Sequence, residues 1–104
     1  MARDWQDLFI TGEDAGGGVK RLSDDTAEIK RMYVVPQARG QGVARALLTA
    51  LEDAARDLGY RKVRLDTGPD QPHARRLYES AGYVRIPDYN ANPHADFWAE
   101  KRLA

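Results

Sequence analysis

Val43, Leu47, Ala50, Leu51, Ala54 and Leu58 recur at the offsets of one helical face, while Arg45, Glu52, Asp53, Arg56 and Asp57 fall mostly elsewhere. This periodic stretch constrains the chain more than any other feature, because both of its flanks read as strand. Ahead of it, residues 27–35 carry Ile29, Met32, Tyr33, Val34 and Val35. Pro36 ends that run, since proline has no N–H for a ladder hydrogen bond and holds the residue before it extended. Behind it, Gly59 supplies the left-handed position that closes a helix. Residues 60–67 then alternate Val63 and Leu65 against Lys62, Arg64 and Asp66, until Gly68, Pro69 and Asp70 stop them. Glu52 and Arg56 stand four apart in the order that favours an ion pair along a helix. Strand, long helix, strand implies a right-handed parallel crossover.

The remaining segments attach to that unit. Residues 5–11 form a short apolar stretch, followed by Gly12, Glu13, Asp14 and the triplet Gly16, Gly17, Gly18, which reads as strand, turn, strand. Residues 19–22 continue the second strand, and Ser23, Asp24 and Asp25 turn the chain into the 27–35 run, giving an antiparallel meander at the front. A second helix opens near Pro72, runs through Ala74, Leu77, Tyr78 and Ala81, and stops at Gly82. Residues 83–86 resume a strand, 87–95 form a hairpin-type loop rich in Pro, Asn and Asp, and 97–103 make the last strand. The expected fold is α/β, a single domain over residues 1–104. Its mixed sheet has an antiparallel front, a long helix after the central strand, a second helix and a C-terminal strand pair.

Composition removes several function classes. With 16 basic and 16 acidic side chains the formal net charge is zero, which takes away the bulk attraction a dedicated nucleic-acid or anionic-membrane binder carries. The absence of cysteine and the presence of only 2 histidines argue against disulfide scaffolds, thiol nucleophiles and a resident metal. No apolar run approaches a bilayer span and the opening residues lack a signal-peptide pattern, so cytoplasm is the default compartment.

The strand-to-helix turn is where chemistry is expected. Gly40 and Gly42 lie between a buried strand and the long helix, and glycine there permits unusual backbone angles and close approach of a ligand. A helix N-terminus offers unpaired N–H groups and the positive end of a dipole, so amides from Gln41 to Ala44 suit a pyrophosphate, with Arg39 adding formal charge. Two familiar phosphate motifs fail here. A Walker loop needs Gly-Lys followed by Ser or Thr, which is absent, and the dinucleotide fingerprint needs a third glycine where this chain has Arg45, although Asp66 stands where a ribose contact would be.

The run Arg39, Gly42, Ala44 resembles the acetyl-CoA-binding motif of the GNAT superfamily of N-acetyltransferases, an Arg or Gln, two residues, Gly, one residue, then Gly or Ala. In family order, Ala27-Glu-Ile-Lys-Arg-Met-Tyr-Val34 is similar to the central strand leading into that motif, and Ala74-Arg-Arg-Leu-Tyr-Glu-Ser-Ala-Gly-Tyr83 to the second cofactor motif. The closing strand pair fits as well, and the resemblance covers residues 8–104. Where the family often has Asn three residues before the helix alanine, this chain has Gln71.

The resemblance implies roles. Backbone groups of Met32 and Val34 would pair with the pantetheine arm like an added strand. Amides of Gly40, Gln41, Gly42, Val43 and Ala44, with Arg39, would hold the pyrophosphate, and Gln71 and Arg76 would make further cofactor contacts, with Arg75 and Arg76 toward the nucleotide end. Tyr78 matches the tyrosine that protonates the departing thiolate, and Glu28 the strand glutamate used as general base in the histone-acetylating branch, with Lys30 on the same face placed to neutralise it. Tyr89, Asn90 and Trp98 could shape the acceptor pocket or close the core, His94 is a candidate substrate contact or alternate base, and both His73 and His94 read as surface. The acyl donor is then acetyl-CoA without a metal, and the acceptor a small-molecule amine or protein amino group, with no nucleic acid or membrane partner. In the family an initial strand and two helices precede the front hairpin, and almost nothing precedes it here. Such a short form is expected to expose a sheet edge and part of an apolar face, and so to pair as a homodimer. Two functions fit, an active N-acetyltransferase working by direct attack in a ternary complex, and a CoA-binding or interaction module without turnover.

Overall fold

The structure is a computed structural model that describes residues 8–12 and 15–103. In chain order it contains β1 (Leu8–Thr11), β2 (Ala15–Arg21), β3 (Thr26–Val34), a 3-10 turn (Pro36–Ala38), α1 (Val43–Asp57), β4 (Lys62–Thr67), α2 (Pro72–Ser80), β5 (Val84–Arg85) and β6 (Phe97–Arg102). The strands form one sheet in the order β1-β2-β3-β4-β6-β5. Among the described residues only β3 and β4 pair in parallel, with α1 as the crossover between them, and the other neighbours are antiparallel. The front meander, the crossover and the closing strand pair match the sequence reading. The expected strand residues 5–7 lie outside the described ones.

The side-chain period of two sorts each strand into two faces. Ala27 and Ile29 of β3, Val63 and Leu65 of β4, and Phe97 and Ala99 of β6 are buried in one core with Leu47, Leu48, Leu51 and Ala55 of α1. Tyr78 of α2 joins that core, and Arg75 lays its guanidinium over the Phe97 ring at 4.7 Å. The alternate residues Glu28, Lys30, Lys62, Arg64, Asp66 and Glu100 share the opposite face. They pair there as Arg64 with Glu100 at 2.8 Å, Lys62 with Glu100 at 3.8 Å and Lys30 with Glu28 at 3.4 Å. The sequence reading expected this second face to be partly apolar. It is charged instead, because every other residue of Lys62–Thr67 and Phe97–Arg102 turns away from the helices.

The glycine triplet is not the hairpin turn. Gly16, Gly17 and Gly18 lie inside β2 and are buried, and the turn ahead of them is closed by the Gly12 N–H bonding the Ala15 carbonyl at 2.9 Å. A Cβ on Gly17 would sit 2.9 Å from Leu51 Cδ1 and 3.1 Å from Met32 Cγ, so the missing side chain is what lets α1 settle against β2. Opposite this point the ladder slips. Gly16 pairs with Tyr33 and Gly18 with Lys30, so Arg31 and Met32 of β3 face Gly17 alone, and Arg31 adopts the left-handed backbone (φ 58). That is a β-bulge, which bends and twists its strand.

Glu52 also departs from the sequence reading, which assigned it to the polar side of α1. It is 6% exposed, accepts the Tyr83 hydroxyl at 2.7 Å and takes the Lys101 ammonium at 3.1 Å. Arg56 turns instead to Asp53 at 2.7 Å and to the Leu103 carbonyl at 2.9 Å. Helical spacing alone could not show this, because the partners come from beyond α2 and from β6. The carboxylate is a three-way tie between α1, the start of the closing hairpin and β6.

Two outcomes follow from this packing. Glu52→Ala leaves a buried phenol and a half-buried ammonium without their acceptor and lowers stability by about 3 kcal/mol, read as a fall in Tm of roughly 10–20 °C by circular dichroism. Gly17→Val forces Leu51 and Met32 apart and costs about 1–3 kcal/mol, measurable by urea unfolding with an unchanged m-value.

Candidate active site

The parallel ladder between β3 and β4 is short. Thr26, Ala27 and Glu28 pair with Lys62, Val63 and Arg64, after which the bulged β3 runs on to Val34 and β4 to Thr67 without pairing to each other. The strands part, and a cleft of about 980 Å³ opens along the released half of β3. Met32, Tyr33 and Val34 line its strand side, Arg39, Gly40, Gly42, Val43, Ala44 and Arg45 its α1 side, and residues 70–74 with Leu77 and Tyr78 its α2 side.

The α1 side is built from two glycines whose conformation other residues resist. Gly40 (φ 81) and Gly42 (φ 76) are left-handed, and Gly42 is the N-cap, with no side-chain capping bond. The helix hydrogen bonds begin with the Ala46 N–H reaching the Gly42 carbonyl at 3.1 Å, so by helix geometry the amides ahead of it have no intrahelical acceptor. Arg39 lines the cleft and donates from Nε to the Val34 carbonyl at 3.1 Å, tying the turn to the end of β3. Arg45 also lines the cleft and bonds the Ser80 hydroxyl. The α2 side repeats the pattern, since its N-cap Gln71 makes no side-chain capping bond either. Two uncapped helix N-termini and two arginines thus face one space, opposed by the Asp70 carboxylate. The donor set suits a diphosphate.

Most of the sequence-derived cofactor residues are brought together here: Met32, Val34, Arg39, Gly40, Gly42, Val43, Ala44 and Gln71 all line the cleft. Two do not join them. The Gln41 side chain is exposed and donates to the Gln37 carbonyl at 3.4 Å, and Arg76 is exposed on α2, paired with His73 Nδ1 at 2.8 Å. Arg76 reaches the cleft only through this partner, since His73 is among the lining residues.

Tyr78 stands where the cleft meets the core. It is 6% exposed, its hydroxyl lies 3.8 Å from Met32 Sδ, and its ring packs on Tyr83 with centroids 5.8 Å apart. Burial, reinforced by the negative charge of Asp66, pushes its ionisation up to about 12, so the hydroxyl keeps its proton throughout the neutral range.

Glu28 lies beyond the cleft lining, on the charged face at the point where the strands part, and only 3% of it is exposed. The 87–95 segment covers it. Tyr89 donates its hydroxyl to Glu28 Oε2 at 2.5 Å, and Asn90 Nδ2 bonds the same oxygen at 3.1 Å and Asp66 Oδ2 at 2.6 Å. Asn90 in turn accepts the Trp98 indole N–H at 3.0 Å. One amide therefore bridges carboxylates on the two diverging strands. Sequence reasoning left Tyr89, Asn90 and Trp98 open between shaping an acceptor pocket and closing the core, and did not foresee this closure. The signal available was the run Asp88-Tyr89-Asn90, whose Asp88 carboxylate caps the Asn90 and Ala91 amides at 2.9 and 2.7 Å and fixes the turn. The far end of the segment is seated too, since a Cβ on Gly68 would come within 2.5 Å of the His94 carbonyl oxygen. His94 itself is exposed.

Among the described residues no His, Asp or Glu grouping could hold a metal ion, and no helix is long and apolar enough to cross a membrane. The family model described as "Acetyltransferase (GNAT) family" matches residues 5–83. The uncharacterized N-acetyltransferase YjgM of Escherichia coli is 35% identical over 77 residues, covering 71% of this chain and 46% of that protein. Human N-acetyltransferase 8 is 39% identical over 73 residues, covering 65% of this chain and 32% of that protein, so the chain spans less than half of either relative. A solved structure from Klebsiella pneumoniae, assigned as an acyl-CoA N-acyltransferase, superposes with a TM-score of 0.77 at 34% identity over 88% of this chain and 64% of that one. The match runs through the strand, turn and helix that make the cleft and through the second helix that closes it, and on that ground the chain belongs to the acetyltransferase (GNAT) family.

Proposed function

We propose that the chain is an N-acetyltransferase that moves an acetyl group from acetyl-CoA to a primary amine, on a small molecule or a protein, by direct attack in a ternary complex. The observation that carries this reading is the cleft itself, where two uncapped helix N-termini and Arg39 converge at one end and the buried Tyr78 hydroxyl lies at the other. When bound, the thioester supplies an acyl carbon open to amines and a thiolate leaving group. The chain supplies the rest. Amides of residues 40–44 and Arg39 hold the diphosphate, with the Gln41 backbone contributing although its side chain points elsewhere. The released edge at Met32 and Val34 offers backbone groups to an extended arm, Val34 with one carbonyl lone pair already given to Arg39.

Tyr78 works as a hydrogen-bond donor to the charge developing on sulfur. A phenol held at about 12 is a weak acid beside a thiol of ordinary pKa near 8.5, so complete transfer of its proton is uphill by roughly 3–4 pK units, on the order of 5 kcal/mol. Its contribution is the directed hydrogen bond, and the final proton comes with solvent exchange.

The closed 87–95 segment favours the second reading, a CoA-binding module without turnover, because it covers Glu28. Pairing with a second copy would use β1, the end strand among the described residues, since the opposite sheet face is charged.

Titration calorimetry with CoA gives saturable heat if the cleft holds a nucleotide thioester, and no heat contradicts both readings. Amine-dependent thiol release from acetyl-CoA then separates them. Tyr78→Phe lowers turnover on the order of 100-fold while leaving CoA affinity within about twofold, and an unchanged rate removes Tyr78 from the mechanism. The rate of the intact chain shows no basic limb from Tyr78 below about pH 11, because the raised phenol stays protonated there. A fall starting near pH 9–10, the range of an ordinary tyrosine, contradicts that assignment.

A further inference from the structure

The base that an amine acceptor needs is buried, and what stands outside it is a hydroxyl. Glu28 is 3% exposed, while Tyr89, half-buried, presents the outer side of the 2.5 Å hydrogen bond between them. Other groups fix this geometry from several elements. Asn90 bonds Glu28 Oε2 and Asp66 Oδ2, Lys30 stands 3.4 Å from Glu28 Oε1, and Arg64 lies over the Tyr89 ring at 5.4 Å. Lys20 of β2 is the register partner of Glu28 on the remaining side. Asp66 stands on β4 beyond the last pair it shares with β3 and is held by the same Asn90 amide that bonds Glu28. With both oxygens of Glu28 engaged and its side chain covered, an acceptor nitrogen at the parting of β3 and β4 meets Tyr89 before it meets the carboxylate.

We propose that Tyr89 is a catalytic relay, taking the acceptor's proton on its hydroxyl oxygen while passing its own proton to Glu28. The inference rests on the transferase reading and names the base side of it. As the amine nitrogen commits its lone pair to the new amide bond, one N–H bond breaks and a new Tyr89 O–H bond forms. In the same movement the original Tyr89 O–H bond breaks and Glu28 Oε2 gains the hydrogen. The C–S electron pair leaves with sulfur, facing Tyr78. One proton moves through two oxygens, no oxidant or further reactant is consumed, and Tyr89 remains neutral before and after. The carboxylate facing Lys30 is restored when Glu28 releases the proton to solvent.

The test uses the full chain, acetyl-CoA, and a panel of simple primary amines with a lysine-containing peptide. Tyr89→Phe, Glu28→Gln and the double variant each lower kcat/KM for the amine by about 100-fold, the double no more than either single, with CoA affinity within about twofold as the control for folding. The solvent isotope effect separates a relay from a support. Neutral amine is the reactant in parent and variant alike, so both rates climb toward the amine's own pKa near 10, but the two protons in flight slow the parent's kcat/KM by about two- to fourfold in heavy water, and Tyr89→Phe loses that effect. An isotope effect unchanged by Tyr89→Phe, or losses that add in the double variant, overturns the relay and leaves acetyl transfer standing. Proton NMR gives a readout without turnover, an exchange-protected downfield hydroxyl resonance that Tyr89→Phe removes, and its absence from the parent also overturns the relay. If CoA binds and no amine releases thiol, the transferase reading falls and the relay with it.

Discussion

The parting of β3 from β4 is the constraint on which the rest of the structure depends. The strands share only the pairs from Thr26 to Glu28, and the slip at Arg31 then turns β3 away. A fully zipped parallel pair would bury the edge that lines the cleft and leave no opening between the helices. The slip is held by packing on both sides of it. Gly17 lets Leu51 and Met32 close on β2, and the same contact fixes Met32 where it meets Tyr78. A core detail and a site detail are therefore one interaction, and a side chain on Gly17 disturbs both.

Charge is distributed along this opening with a gradient of purpose. At the outer end, helix N-termini and arginines concentrate positive potential where a diphosphate would lie, and the zero net charge of the chain means that this attraction is local. At the inner end, burial and Asp66 keep Tyr78 protonated. On the far side of the sheet, Glu28 and Asp66 are joined through Asn90, which sets a fixed negative pair beneath a hydroxyl.

The elements that sequence made legible are those whose signal is local. The helical period through Leu47, Leu51 and Leu58, the stop at Gly59, the alternation of Val63 and Leu65, and the turn at Gly40 and Gly42 all survive in the structure, because each is set by neighbours within a few residues. The three misreadings share a different cause. Gly16, Gly17 and Gly18 looked like a turn because glycine's conformational freedom is visible in sequence and its smallness beneath a helix is not. Glu52 looked solvated because its partners Tyr83 and Lys101 are distant in the chain. The second sheet face was expected to be partly apolar although the alternation in Lys62–Thr67 already placed its charges there. Motif spacing picked out residues that the structure gathers along one cleft, down to Gln71, while the closure of the 87–95 loop over β3 and β4 required the tertiary structure.

The central claim is that the mouth of α1 seats a nucleotide diphosphate, and amide NMR during titration with CoA tests it most directly. The account predicts that resonances of Gly40, Gln41, Gly42, Val43 and Ala44 move together and saturate with one affinity, accompanied by Met32 on the strand edge, while those of residues 87–95 stay in place. Amides of residues 40–44 that remain still under saturating CoA, or shifts confined to another part of the chain, contradict it.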